Sequence, residues 1–179
     1  MVIALVGRRI DQPGLDAPIF PYEAIERVRR RIKHFLQAQG ARVIVCSAAC
    51  GADLIALEAA GSLGIRRRVI LPFDVSRFRE TSVIDCPGDW GLIFDKIIAE
   101  VTSDQDLVIL SLEQEADESY LRTNEAILGE ALSLAASNRE PVNAVLVWNG
   151  ISRGNDDITN SFARTARSLG LQALELSSL

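Results

Sequence analysis

The sequence predicts an α/β fold of the Rossmann-like, doubly wound kind, in which helices cover both faces of a parallel sheet. Short, continuously hydrophobic runs rich in β-branched residues alternate with longer stretches of helical period. Continuous runs are typical of strands buried on both faces, because a strand with one exposed face alternates polar and apolar residues. The length of 179 residues suits one such unit, so we expect a single domain over residues 1–179.

Six runs have the character of buried strands. They cover residues 2–6, 42–46, 67–71, 107–111, 142–148 and, less regularly, 172–176. Right-handed crossovers through intervening helices leave few arrangements of such strands. The simplest is the order 3-2-1-4-5, extended by a sixth strand, with a topological switch point between strands one and four.

Five helices are predicted between the strands. An apolar stripe spaced at i, i+3, i+7, i+10 and i+11 marks the first one: Ile25, Val28, Ile32, Phe35 and Leu36. Gly40 is placed to end that helix. The others are expected over residues 52–63, 90–101, 120–136 and 157–169, with Asp89 as the N-cap of the third.

The composition excludes several classes of protein. A net charge of −5 gives no broad positive field, so a nucleic-acid partner is expected to be unlikely. No apolar run reaches the roughly 20 residues that a membrane span needs, and the N-terminus lacks the order of a signal peptide. Three cysteines without CxxC spacing and one histidine predict neither a metal site nor a disulfide framework, which favours a reducing cytoplasm.

In doubly wound sheets, ligands bind at the carboxyl ends of the strands, near the switch point. Gly7 and Arg8 follow the first strand, where glycine permits close approach and arginine offers a fork of donors to phosphate. The alternative is a strand-end glycine followed by solvated arginines. After the second strand comes SAACGAD, a turn of small residues that leads into a helix. Free N–H groups in such a turn can hold an anion, although neither a GxGxxG fingerprint nor a Walker loop is present.

The loop motifs together resemble those of the SLOG superfamily. They are GRRIDQPG, SAACGADLIALEAA, LPFDVSRFRETSV, YLRTNEAI and WNGISRGNDDITNSFARTA, and they span nearly the whole chain. This superfamily comprises Rossmann-like nucleotide-binding domains related to the Lonely Guy phosphoribohydrolases and to DNA-processing protein A. The chain looks most similar to a bacterial branch found beside tetratricopeptide repeats or signalling domains.

The resemblance implies that six residues line a nucleotide crevice: Gly7, Arg8, Ser47, Gly51, Asp53 and Asn124. Five further ligand-binding candidates lie in or beside the same motifs: Ala48, Cys50, Ser82, Tyr120 and Gly154. Asp53 is placed either to contact a ribose hydroxyl or only to complement the dipole of its helix. Trp90 is either a stacking ring on a flap or a packing residue. No cofactor is implied.

Two loops depart from the superfamily pattern. Residues 153–157 place two acidic residues, Asp156 and Asp157, where a glycine-rich turn is common. The stretch SLEQEADESYLRTNEAI lacks the glycines and the catalytic glutamate of the PGGxGTxxE loop in Lonely Guy enzymes. That hydrolase activity therefore does not transfer directly from the resemblance.

Two functions from different classes fit these residues. The first is a sensor or signalling module that binds a nucleotide or an ADP-ribose-like ligand and acts through an oligomer or an effector protein. The second is a hydrolase of a nucleotide N-glycosidic bond, with Glu58 or Asp53 as its catalytic carboxylate. Binding needs only a crevice with donors, whereas catalysis also needs a carboxylate with a raised pKa.

Overall fold

The computed structural model describes residues 1–112, 117–154 and 157–179, and it confirms the α/β fold. Six parallel strands form one sheet in the order β4-β3-β2-β1-β5-β6. The strands are β1 (Val2–Gly7), β2 (Val43–Cys46), β3 (Arg66–Leu71), β4 (Leu107–Ile109), β5 (Val142–Trp148) and β6 (Gln172–Ser177). All six predicted strands are therefore present.

Six α-helices connect these strands. They are α1 (Ile25–Ala38), α2 (Ala52–Ser62), α3 (Val75–Ser82), α4 (Trp90–Ser103), α5 (Asp117–Asn138) and α6 (Ile158–Ser168). Five correspond to predicted helices. The sixth, α3, lies in a stretch that the periodicity does not mark, and Asp74 caps it by accepting from the N–H of Arg77 at 3.0 Å. Within residues 1–112, 117–154 and 157–179, no helix is long and apolar enough to cross a membrane.

The predicted strand order is wrong in one respect. The fourth strand does not lie beside β1: β4 pairs with β3 at the edge of the sheet, and β5 pairs with β1. The partial exposure of β4 fits an edge position, since Ile109 is 40% exposed. The chain therefore winds outward from β1 to β4 before it crosses back to β5. This moves the switch point from strands one and four to the crevice between β1 and β5.

Alternate residues of the central strands feed two separate cores. Ile3 and Leu5 of β1 belong to the core beneath α1 to α4, whereas Val2 and Ala4 belong to the core beneath α5 and α6. This division follows from the two-residue period of a strand, and it explains the continuous hydrophobic runs in the sequence. The carboxyl ends of β1 and β5 consequently meet in a crevice walled by helices from both faces.

Candidate functional site

A cleft of about 490 Å³ lies at the carboxyl edge of the sheet, next to the switch point between β1 and β5. Its walls come from the loop after β1, the turn after β2, the segment that follows α3, and the facing ends of α5 and α6. Polar residues on these walls include Ser47, Asp53, Ser82, Tyr120, Thr123, Asn124, Arg153 and Thr159. Apolar side chains supply much of the rest, among them Ile10, Leu15, Ile19, Phe78 and Ile158. A mainly apolar cleft with a few convergent polar groups is typical of small-molecule sites.

Arg8 lies at this cleft, but its guanidinium is committed to the protein. It forms a bidentate pair with Asp157, at 2.8 Å to Oδ1 and 2.6 Å to Oδ2, and it donates to the carbonyl of Ile151 at 2.9 Å. The guanidinium carbon also lies 5.6 Å from the centroid of the Trp148 ring. Both charged side chains are at most 2% exposed. The negative charge expected from Asp157 is thus neutralised. Both terminal nitrogens of Arg8 are used within the protein, and only its buried Nε lacks a hydrogen-bond partner among the described residues.

Asp157 has a second structural role at the start of α6. Its carboxylate accepts from the N–H groups of Thr159 and Asn160 at 3.0 and 3.2 Å, so it is the N-cap of that helix. Burial raises its pKa, but the hydrogen bonds and the charge of Arg8 outweigh burial and lower the pKa to about 2. Asp157 is therefore ionised throughout the neutral range.

The turn between β2 and α2 is closed more tightly than its sequence suggests. The N–H of Cys50 donates to the carbonyl of Ser82 at 2.9 Å, and that of Ala52 donates to the carbonyl of Arg8 at 3.1 Å. Gly51 has a φ of 94°, and a Cβ there would lie 2.8 Å from the carbonyl oxygen of Arg8. Several expected anion donors are thus satisfied within the protein. Gly51 allows the turn to pack against the loop after β1.

Asp53 is the most unusual polar group of the cleft. The residue is only 7% exposed, and its Oδ1 has no hydrogen-bond partner within the residues that the structure describes. Burial raises its pKa to about 7, although hydrogen bonds from the N–H groups of Ala49 and Gly7 and the charge of Arg9 act in the opposite direction. An unpartnered buried carboxyl is costly unless a ligand, a water or a proton satisfies it.

A polar pair joins α3 to α5 across the cleft. The hydroxyls of Ser82 and Tyr120 lie 3.2 Å apart, and the Tyr120 ring meets Phe73 edge-on with centroids 6.3 Å apart. Asn124, one turn further along α5, donates its amide N–H to the carbonyl of Ile158 at 2.9 Å. Three predicted residues from distant parts of the sequence are therefore brought together here.

The remaining predicted site residues are divided between the cleft and other places. Gly7 and Ser47 border the cleft, whereas Ala48, Cys50, Gly51 and Gly154 are absent from its lining. Glu58 forms an ion pair with Arg29 and borders a separate depression that Arg67 and Lys96 also line. Asn155 and Asp156 lie outside the described residues. Of the two candidate catalytic carboxylates, the structure brings only Asp53 to the cleft.

Trp90 is a packing residue and not a stacking ring. It is 3% exposed, and its indole N–H donates to the carbonyl of Pro87 at 2.9 Å. The interpretation of Trp90 as part of a flap is therefore corrected, since no face of the ring is available to a ligand.

Two cysteines form a disulfide at the rim of the cleft, which corrects the expectation that the chain has none. Cys50, before α2, is bonded to Cys86, in the loop between α3 and α4, with the Cα atoms 6.4 Å apart. Arg9 donates from Nε to Cys50 Sγ at 3.3 Å and from Nη2 to Cys86 Sγ at 3.2 Å, and it also pairs with Asp85. The two paired cysteines are far apart in sequence, and only the fold brings them together.

The same cluster contains three potential metal ligands. Their atoms, on Cys50, Asp85 and Cys86, lie within 4.8 Å of one another. The Arg9 guanidinium, however, contacts all three residues and supplies the positive charge that a metal ion would bring. The arrangement therefore disfavours a second cation at this cluster.

Sequence reasoning missed most of the long loop after β1. Arg9, Gln12 and Leu15 all border the cleft, and Gln12 donates to the carbonyl of Asp85 at 2.8 Å. Asp11 holds the loop in shape by accepting from the N–H groups of Ile19 and Phe20 at 2.7 and 2.8 Å. The available signal was the length and the proline and glycine content of residues 8–21, since long loops at the ligand edge of a sheet are often functional.

Fold and cleft together define a Rossmann-like α/β protein with a ligand-sized site at its switch point. No family model and no curated protein matches the chain. The solved structures that resemble it include two of DNA processing protein A. The one from Helicobacter pylori, described by its unique single-stranded DNA binding mode, is 16% identical with a TM-score of 0.45, covering 97% of this chain and 74% of that one. The one from Streptococcus pneumoniae is 15% identical with a TM-score of 0.39, and the match covers 96% of this chain and 57% of that one.

At identities of 16% and 15% and TM-scores below 0.5, these resemblances assign no superfamily, ligand or residue role to the chain. One expectation is corrected. A nucleic-acid partner was expected to be unlikely, but a protein of similar fold is described as binding single-stranded DNA. Nucleic acid is therefore not excluded for this fold.

Proposed function

We propose that the chain binds a nucleotide or a nucleotide-derived, ADP-ribose-like small molecule in the cleft beside β1 and β5. The unpartnered Oδ1 of Asp53 carries this proposal, because a buried carboxyl that faces a cleft is a natural acceptor for the two hydroxyls of a ribose. Ser82, Tyr120 and Asn124 lie across the cleft and offer further hydroxyl and amide groups.

The phosphate is assigned to a different residue from the one that the sequence indicated. Arg8 is paired with Asp157, whereas Arg153, in the loop after β5, is exposed and borders the cleft. An arginine fork is well suited to phosphate oxygens. We assign the phosphate to Arg153, the ribose to Asp53, and the base to the apolar side formed by Leu15 and Ile19. This division matches the mixed character of a nucleotide.

The proposal also extends to the role of this binding site in the cell. The loop motifs support a sensor of the bacterial, signalling-associated branch of the SLOG superfamily, acting in the cytoplasm through an oligomer or an effector protein. Hydrolysis of a nucleotide N-glycosidic bond is the second candidate. Asp53 favours it, since a carboxyl with a pKa near 7 is suited to move a proton or to stabilise a cationic sugar.

A panel of AMP, NAD and ADP-ribose separates these alternatives. Thermal shift reports binding, and chromatography of the same samples reports release of the base. A sensor gives a shift without released base, and a hydrolase gives both with AMP or NAD. Asp53→Asn should reduce the shift or the turnover, while Glu58→Gln, outside the cleft, should leave both unchanged. A short oligodeoxythymidine completes the panel: a shift with it alone would overturn the small-molecule proposal.

A further inference from the structure

The Cys50–Cys86 disulfide lies at the wall of the cleft. Cys86 lines the cleft and is 6% exposed, while Cys50 is 1% exposed and lies directly before Gly51, the N-cap of α2. The bond links two segments separated by 36 residues, the turn before α2 and the loop after α3, and both reach the wall of the cleft. A purely structural staple would need neither an opening toward a cleft nor a charged neighbour.

Arg9 is that charged neighbour. Its guanidinium donates to both sulfur atoms, at 3.3 Å to Cys50 and 3.2 Å to Cys86. A cation within hydrogen-bonding distance of a sulfur stabilises the thiolate over the thiol, and a helix N-terminus acts in the same direction. Asp85 shares the same guanidinium and so weakens its effect. The third cysteine, Cys46, has no such surroundings: it is fully buried, and burial raises its pKa well above the ordinary value.

We propose that Cys50 and Cys86 form a thiol–disulfide exchange site at the rim of the cleft, with Arg9 holding the thiolate of Cys50. The chemical class of its reaction partner is a small dithiol or a protein with a dithiol. The chemistry of the pair does not depend on which ligand the cleft takes.

The exchange proceeds in two balanced steps. A thiolate of the reductant attacks Cys86 Sγ from the cleft, forms a mixed disulfide with it, and breaks the bond to Cys50, whose sulfur leaves as a thiolate beside Arg9. The second thiol of the reductant loses its proton and then attacks the sulfur that is attached to Cys86. The reductant closes to its own disulfide, and Cys86 is released as a thiolate that takes up a proton. Two electrons pass to the protein, and a leaving thiolate that is already stabilised makes the first step fast.

Differential alkylation tests the site directly. The folded protein is treated with dithiothreitol or with glutathione disulfide, then with iodoacetamide, and the labelled cysteines are mapped by mass spectrometry. We expect Cys86, which lines the cleft, and Cys50, whose turn is released when the bond is broken, to be labelled after reduction and protected after oxidation. Cys46 should stay unlabelled in both, because it is fixed within β2. A bond that resists dithiothreitol until the protein is unfolded, or a pair that stays reduced in glutathione disulfide, would overturn the proposal.

The role of Arg9 has its own readout in the pH dependence of labelling. Arg9→Gln should slow alkylation of the reduced pair at pH 7 by about tenfold and move its pH profile upward by about one pH unit, because it removes the stabilising cation. Arg9→Lys keeps the charge and should retain most of the rate. Asp85→Asn frees the guanidinium and should raise the rate, which keeps the test decisive where an Arg9 variant does not fold. Equal rates in wild type, Arg9→Gln and Asp85→Asn would contradict the assignment.

Discussion

Arg8 and Asp157 form a buried bidentate ion pair that ties the loop after β1 to the start of α6. These two segments flank the switch point of the sheet, so the pair closes the floor of the crevice between β1 and β5. The chemistry of Arg8 would suit a phosphate, but this arginine is buried in the ion pair. We therefore expect residues nearer the mouth of the cleft to recognise a phosphate. The pair is a structural element from which the candidate site is built.

Removing one partner of this pair should be costly. Arg8→Met leaves the Asp157 carboxylate buried without its partner, and such changes lower the free energy of unfolding by about 3–5 kcal/mol. Arg122→Met breaks the exposed pair with Glu118, in which both side chains are at least 60% exposed, and should cost less than about 1 kcal/mol. Urea denaturation of both variants measures the difference. Equal stabilities would show that Arg8 is not held as described.

The same pair predicts the response to acid. The pKa of Asp157 is lowered from 3.8 to about 2, so its folded form binds a proton more weakly than its unfolded form does. Its contribution to stability is fully present above about pH 4 and is lost as the pH falls toward 2, by about 2 kcal/mol. Denaturation of Asp157→Asn across this range should lack that part of the decline. Identical slopes in variant and wild type would contradict the assignment.

Asp53 predicts the opposite trend at higher pH. Its folded pKa of about 7 exceeds the ordinary 3.8, so the protein holds that proton more strongly when folded. The contribution of Asp53 to stability is greatest below about pH 4 and declines as the pH rises to about 7, by up to about 4 kcal/mol for a group this buried. Asp53→Asn, which carries no charge, should flatten the curve of unfolding free energy between pH 4 and pH 8. If the free energy of unfolding declined equally with pH in Asp53→Asn and in wild type, the pH dependence would belong to other groups.

Gly51 and Gly129 offer a matched pair of glycine-to-alanine changes. Gly51 has a φ of 94° and lies against the backbone of the loop after β1, so Gly51→Ala adds both strain and a clash and should destabilise the protein by more than about 1 kcal/mol. Gly129 is inside α5 with no atom within 4 Å of its added Cβ. Gly129→Ala should therefore stabilise the helix by about 0.5–1 kcal/mol. Thermal unfolding of the two variants should shift in opposite directions.

Local pattern predicted the elements of the fold but not the order of the strands. The run that became β1 is apolar, and the run that became β5 is apolar except for Asn143, because both faces of each strand are largely buried. The fourth strand can lie either beside β3 or on the far side of β1, and right-handed crossovers permit both positions. The short helix α3 was missed because its eight residues give too little periodicity to recognise.

Strand ends were one signal for the site, and Ser82, Tyr120 and Asn124, which were predicted farther from strand ends, also reach the cleft. Gly7, Ser47 and Asp53 follow strands and reach the cleft as expected. Glu58 lies on the next turn of the same helix as Asp53, and only the packing of α2 shows that it turns toward Arg29 and away from the cleft. The partners of Arg8, Arg9 and Cys50 lie 36 to 149 residues away in sequence, beyond the range of any local pattern.

The most direct test is calorimetric titration of ADP-ribose into the protein at pH 8, where Asp53 is ionised. We predict binding to wild type, weakened at least tenfold by Asp53→Asn through loss of a charged acceptor and by Arg153→Ala through loss of the phosphate donor. Glu58→Gln should bind as wild type does. If both variants bound ADP-ribose as tightly as wild type, the assignment of a nucleotide to this cleft would be contradicted. It would also be contradicted if the folded wild-type protein bound neither ADP-ribose nor AMP.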